Sequence, residues 1–137
     1  MPRDPARAAD TRAWLAKAKE DLQAAKQLLK PSAALSSAAV FHCQQAAEKA
    51  LKGFLAWHDR PFRKTPELEE IGEACIRVDA SLKELVDRAV PLTEYAWKFR
   101  YPGEPAAPAR KEVESALVLA TEVYRAIVAR LPKAARP

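Results

Sequence analysis

The run Phe41-His-Cys-Gln-Gln-Ala-Ala-Glu-Lys-Ala-Leu-Lys-Gly-Phe-Leu55 constrains the fold more than any other stretch of the chain. Phe41, Gln44, Glu48, Leu51 and Leu55 recur at steps of three and four residues, which is one face of a helix. That face is apolar at both ends and polar in the middle. Gln44 and Glu48 therefore fall where a bundle core belongs, and a carboxylate there is costly unless a partner meets it. The expectation is a buried Glu48 paired with Lys52, one turn on, or with Arg100 from elsewhere in the chain. The neighbouring stripe of His42, Gln45, Lys49 and Lys52 is polar throughout.

The rest of the chain reads as helices around this one. A first helix is expected from Asp10 or Thr11 to Lys30, stopped by Pro31, with Leu15, Ala18, Leu22, Ala25 and Leu29 facing in. Ser32 opens the second helix, which ends near His58. A short third helix is capped by Thr65, with Pro66 in its first turn and Glu67, Glu69 and Glu70 at the positive end of the dipole. It ends near Arg77. The fourth runs from Asp79 or Ser81 to about Phe99, and Pro91 kinks it or breaks its last turn. Three prolines and a glycine between Arg100 and Pro108 make a loop. The last helix covers about Ala109 to Leu131, with Val113, Ala116, Leu117, Ala120, Val123, Tyr124, Ile127 and Leu131 as its stripe. The predicted fold is all-α, an up-and-down antiparallel bundle of four long helices and one short one. Residues 10–131 form one domain, residues 1–9 a flexible N-terminal tail and residues 132–137 a C-terminal tail.

Composition agrees and narrows the function classes. A chain of 137 residues suits one domain, which buries roughly two-thirds of its unfolded surface. Only three glycines occur and alanine is abundant, which favours helix. The net charge of +5 is weak evidence for a phosphate or nucleic-acid partner and fits an ordinary basic surface better. Cys43 and Cys75 have no metal or redox spacing, and the start of the chain has no apolar leader; reduced thiols and a cytoplasmic location are expected. They read as small buried hydrophobes. His42 beside Cys43 is no metal pair, because adjacent helical residues point about 100° apart. No metal, no cofactor and no membrane span are expected.

The order of motifs carries a resemblance. Trp14-Leu-x-x-Ala-x-x-x-Asp21-Leu-x-x-Ala is followed by Phe41-x-x-Gln-Gln-Ala-Ala-Glu-Lys-Ala-Leu-Lys52, then Lys64-Thr65-x-x-Leu68, then Arg100-Tyr-Pro-Gly103. Together they resemble the HEPN domain (higher eukaryotes and prokaryotes nucleotide-binding) over roughly Asp10 to Leu131. The resemblance implies a five-helix bundle, a homodimer, and in many members a neighbouring nucleotidyltransferase with which the protein acts as a toxin–antitoxin pair. Several such proteins are metal-independent ribonucleases with an Arg followed, after four to six residues, by a His. This chain departs from that motif. No Arg stands at that distance before His42 or His58, and no His follows Arg100. Where the family often has a His after the helix-start Thr, this chain has Pro66.

Each candidate site residue has two readings. Gln44, Gln45, Glu48, Lys49, Lys52, Arg100 and Tyr101 form either a nucleotide-binding cluster or a structural polar network. Asp21 is a carboxylate reached by Lys52 or Arg100, or a solvated residue. Tyr101 stacks on a base or covers the bundle end. Lys49 and Lys52 bind phosphates or face solvent. His42 is a packed or partner-contacting residue rather than an acid or base. Trp14, Trp57 and Trp97 read as helix-end packing. The expected function is a non-catalytic HEPN protein that binds a nucleotide, a partner nucleotidyltransferase, or both. The alternative is a ribonuclease toxin with a non-standard site, Arg100 on the phosphate and His42 as base.

Overall fold

The computed structural model describes residues 5–32, 35–103 and 106–137. Five α-helices account for most of them: α1 (Pro5–Leu29), α2 (Ser36–Trp57), α3 (Leu68–Val78), α4 (Lys83–Ala89) and α5 (Arg110–Ala129). Among the described residues there is no strand, and the helices form the expected bundle. α2 is its central member, packed on α1, α3, α5 and the segment Val90–Ala96. The inward stripes are where the spacing puts them. Leu15, Ala18, Ala25, Leu51, Leu55, Val113, Ala120 and Ile127 are all buried.

α1 and α2 cross closely because Gly53 has no side chain. A Cβ there would lie 2.3 Å from Leu15 Cδ2 and 3.1 Å from Trp14 Cβ. Gly72 does the same for α3 against α4, where a Cβ would meet Val86 at 2.3 Å. Both glycines trade helix propensity for a shorter interaxial distance.

Several boundaries differ from the sequence reading. α1 starts at Pro5, so residues 5–9 of the expected tail are helical. Proline suits the first helical position, the following alanines favour helix, and Ala8 is buried. Thr11 is not the cap; its hydroxyl donates to the Arg7 carbonyl inside the helix at 2.9 Å. α2 opens at Ser36, after Leu35, and not at Ser32. The C-terminal residues are not a free tail either. A 3₁₀ turn at Lys133–Ala135 packs on α1, with Ala135 buried and the Arg12 guanidinium donating to the Ala134 carbonyl.

α3 begins at Leu68, two residues later than Pro66 in its first turn would require. Thr65 still works locally, accepting from the Glu67 amide at 3.1 Å. The first amide of the helix is satisfied from a distance, by the Thr93 hydroxyl accepting from Leu68 N at 3.1 Å. The fourth helix is composite: a 3₁₀ turn at Ala80–Leu82, the short α4, and a 3₁₀ stretch at Val90–Ala96. Pro91 lacks the amide that would continue α4, and the chain tightens instead of stopping.

Candidate functional site

The polar middle of α2 divides into two clusters, one gathered on Glu48 and one on Asp21, which α1 brings to it. Gln44, Gln45, Glu48 and Lys52 form the first. Lys52 Nζ donates to Glu48 Oε2 at 2.9 Å, and Gln44 Nε2 and Gln45 Nε2 donate to Glu48 Oε1 at 3.1 and 3.3 Å. Gln45 Nε2 also reaches Gln44 Oε1 at 2.7 Å, and Gln44 Nε2 reaches the Pro66 carbonyl at 3.2 Å. The Glu48 carboxylate is thus met by an ammonium and two amides. The side chains of Lys52 and Glu48 are only 7% and 12% exposed. Lys52 is enclosed further by the rings of Trp14 and Phe62, whose centroids lie 5.9 and 5.7 Å from Nζ. Those two rings meet edge to face at 5.7 Å.

Lys49 and His42 belong to the second cluster, on the face turned to α1. His42 Nδ1 lies 2.8 Å from Asp21 Oδ1, and Lys49 Nζ donates to Asp21 Oδ2 at 2.7 Å. Asp21 is buried. It is therefore not solvated, and its cations are His42 and Lys49 rather than Lys52 or Arg100. Lys52 does not face solvent, and Lys49 is held against α1. The His42 side chain is 32% exposed.

Arg100 does not fork onto Glu48. Its Nη1 donates to the Ala96 carbonyl at 2.9 Å, and its guanidinium carbon stands 4.3 Å over the Phe41 ring centroid. Phe99 precedes it in the left-handed region at φ 69°, a costly conformation for an aromatic residue. That turn swings the chain away from the Val90–Ala96 segment and sets Arg100 beside α2. Tyr101 is 69% exposed and covers no bundle end. Its ring lies 5.7 Å from the Arg100 guanidinium. Of the tryptophans, Trp57 is buried and Trp14 packs as described, but Trp97 is 51% exposed.

A cleft of about 320 Å³ opens where α2 meets the α3 start and the Arg100 turn. Gln45, Glu48, Lys52 and Arg100 line it with Phe41, Lys64, Thr65 and Pro66. Four of the expected site residues therefore share one cavity. Lys49, Asp21, His42 and Tyr101 do not line it, and Gln44 sits beneath it. Lys64 and Phe41 were missing from the expected set. Lys64 has a signal in sequence, a cation one residue before a helix-start Thr. The Arg100–Phe41 contact has none, since 59 positions separate the two. Glu48 is already neutralised by Lys52, whereas Lys64 and Arg100 have no carboxylate partner among the described residues. The cleft is thus net positive, with an amide, an aromatic ring and two unneutralised cations at its rim. Among the described residues no group of His, Cys, Asp and Glu is arranged to hold a metal ion, and no helix is long and apolar enough to cross a membrane.

The family model of the HEPN domain matches residues 11–131. No curated protein and no solved structure matches the chain.

Proposed function

Because the chain belongs to the HEPN-domain family, whose membership supports a nucleotide- or RNA-related function, we propose that it is a non-catalytic member that binds a nucleotide in the α2 cleft. The observation that carries this reading is a pair of cations, Lys64 and Arg100, with no carboxylate partner among the described residues, on a cleft where Glu48, the one carboxylate among its described lining residues, is already paired. Phosphate oxygens accept from Lys64 and the Arg100 fork. The Gln45 Oε1 offers an acceptor to a base or ribose edge, its Nε2 being engaged by Gln44 and Glu48.

The non-catalytic part of the reading is supported by where His42 sits. Its Nδ1 is engaged with Asp21 on the α1 side of α2, and it does not line the cleft that holds Arg100. Phosphodiester cleavage near neutral pH needs a proton-transfer group within reach of the reacting atoms, and the cleft offers no histidine. Partnership with a nucleotidyltransferase, as one half of a toxin–antitoxin pair, belongs to the same proposal and rests on the family resemblance. So do a homodimeric state and a cytoplasmic location. Tyr95 is buried and stacks on the partly buried Phe99 at 6.1 Å, which leaves the pair little contact surface for a dimer. Trp97 and Tyr101 remain exposed as contact surface.

Calorimetric titration with a panel of nucleotides, with and without the partner nucleotidyltransferase, tests this. Binding is expected, with Arg100→Ala and Lys64→Ala each weakening it about tenfold, the loss of one charge-assisted hydrogen bond. Incubation with single-stranded RNA and transfer RNA is expected to leave both intact. Cleavage that copurifies with the protein and disappears in Arg100→Ala would restore the ribonuclease alternative. Light scattering at micromolar concentration is expected to report twice the 15.2 kDa of one chain.

A further inference from the structure

Phe41 is a partly buried aromatic residue that does not belong to the core. Trp14, Phe62, Phe99 and Tyr124, the other partly buried aromatic residues described, all pack against the buried cluster, and Phe41 does not. Its spacing alone puts it on the inward stripe of α2. Its ring instead lines two adjoining cavities, the α2 cleft and a neighbour of about 290 Å³ walled by Ser37, Ala38 and Phe99. Arg100 lines both cavities as well, so the stacked pair stands at their boundary. The ring meets the Arg100 guanidinium at 4.3 Å and, edge to face, its own neighbour His42 at 5.6 Å.

A guanidinium is planar and its donors lie in that plane. A ring against its face therefore holds the group and leaves its edges open. One Nη1 donor goes to the Ala96 carbonyl at 2.9 Å. The Nε–Nη2 edge has no acceptor among the described residues, and that edge is a fork matched to two oxygens of a phosphate. The backbone of Arg100 is fixed too. Phe99, in the left-handed conformation, stacks on the buried Tyr95 at 6.1 Å. Arg100 is thus held at both ends, by the Phe99 turn at its backbone and by the Phe41 ring at its head.

An exposed arginine that samples many rotamers loses that freedom when it binds an anion, and one already stacked loses less. We propose that Phe41 is a positioning residue of the α2 cleft: by stacking on Arg100 it holds the Nε–Nη2 fork ready for a phosphate of the bound nucleotide. This role rests on the nucleotide reading of the cleft. It also accounts for an aromatic side chain that contributes nothing to core packing.

Two measurements on the full chain test it. The first is the nitrogen–proton spectrum. The Arg100 Nε–H resonance, assigned by its loss in Arg100→Ala, is expected upfield of the other arginines, because a ring shields protons over its face. It is expected to move back toward them in Phe41→Leu and to stay upfield in Phe41→Tyr. The second is calorimetric titration with inorganic pyrophosphate, which engages the cations of the cleft whatever the base. Phe41→Leu is expected to bind about fivefold more weakly than the parent, and Phe41→Tyr within about twofold of it. In an Arg100→Ala background Phe41→Leu is expected to cause no further loss, since the ring acts only through the guanidinium. Circular dichroism is expected to show every variant folded, as Phe41 lies outside the core. An unshifted Arg100 resonance in the parent would overturn the proposal, and so would full affinity in Phe41→Leu. An equal loss in the Arg100→Ala background would do the same, by making Phe41 a merely structural residue. A parent with the shifted resonance that fails to bind pyrophosphate would overturn the nucleotide reading of the cleft, and the positioning role with it.

Discussion

Lys52 donates to Glu48 at 2.9 Å across one turn of α2, with the rings of Trp14 and Phe62 around the ammonium. The pair is nearly closed to water. An ion pair in such a place contributes less than its Coulomb attraction, because both groups lose hydration. Its effect on the fold is conditional: with both members present the core is satisfied, and with one removed a charge is stranded.

Glu48→Ala is therefore expected to cost about 3 kcal/mol by leaving Lys52 buried without a carboxylate. Urea denaturation of the variant measures it. Adding Lys52→Met to Glu48→Ala is expected to recover a large part of the loss, since the stranded charge is gone and the methionine fills the space between the rings. A loss below about 0.5 kcal/mol for Glu48→Ala alone would show that the pair is hydrated in solution.

Gly53→Ala is expected to destabilise the protein by about 1–3 kcal/mol, although alanine is the better helix former. The added methyl would stand 2.3 Å from a terminal methyl of Leu15. Leu15 is fully buried and has little room to yield. A thermal melt decides the sign. If α1 and α2 separated freely, propensity would win and the variant would be more stable.

The α2 face explains how much of this was readable beforehand. Periodicity alone put Gln44 and Glu48 among apolar neighbours, and the cost of a bare carboxylate demanded a cation. Lys52 was one of two candidates because an i,i+4 pair is local. Choosing it over Arg100 needed tertiary information: Phe41 captures the Arg100 guanidinium, and nothing in the spacing of those residues says so. The separation of Lys49 from Lys52 was equally hidden, since it depends on Asp21 arriving from α1. Core stripes were legible because burial repeats with the helix. The α3 start was misread because its first amide is capped by Thr93, which is 25 residues away.

Cys43 and Cys75 are expected to be inert in the native protein. Burial pushes each thiol up to about 12, and Cys75 Sγ also lies 3.5 Å from the Leu51 carbonyl. The reactive species is the thiolate, so a disulfide reagent at pH 8 is expected to label neither residue until the chain opens. In denaturant both are expected to react at once. Because the folded values are raised, the neutral thiols contribute stability that is complete below their unfolded values near 8.5 and is lost as pH rises toward 12. Prompt stoichiometric labelling without denaturant would contradict the buried positions.

Tyr95 sets a second alkaline limit, and one substitution isolates it. Its hydroxyl donates to Glu112 Oε2 at 2.5 Å, tying the Val90–Ala96 segment to α5. Burial, first, and then the hydrogen bond to Glu112 and that group's charge hold the phenol above its ordinary value. A folded value above the unfolded one means stability that is complete below about pH 10 and declines as pH climbs through the folded value. Tyr95→Phe removes the hydroxyl and leaves the Glu112 carboxylate near the surface, where water replaces the lost donor. At pH 7 the variant is expected to lose about 1 kcal/mol, the net contribution of one such bond. Above pH 10 the parent has a titrating phenol and the variant does not. The two stability curves, measured by urea denaturation from pH 7 to 11, are therefore expected to converge as pH rises. Parallel curves would show that the Tyr95 hydroxyl is not held by Glu112 in solution.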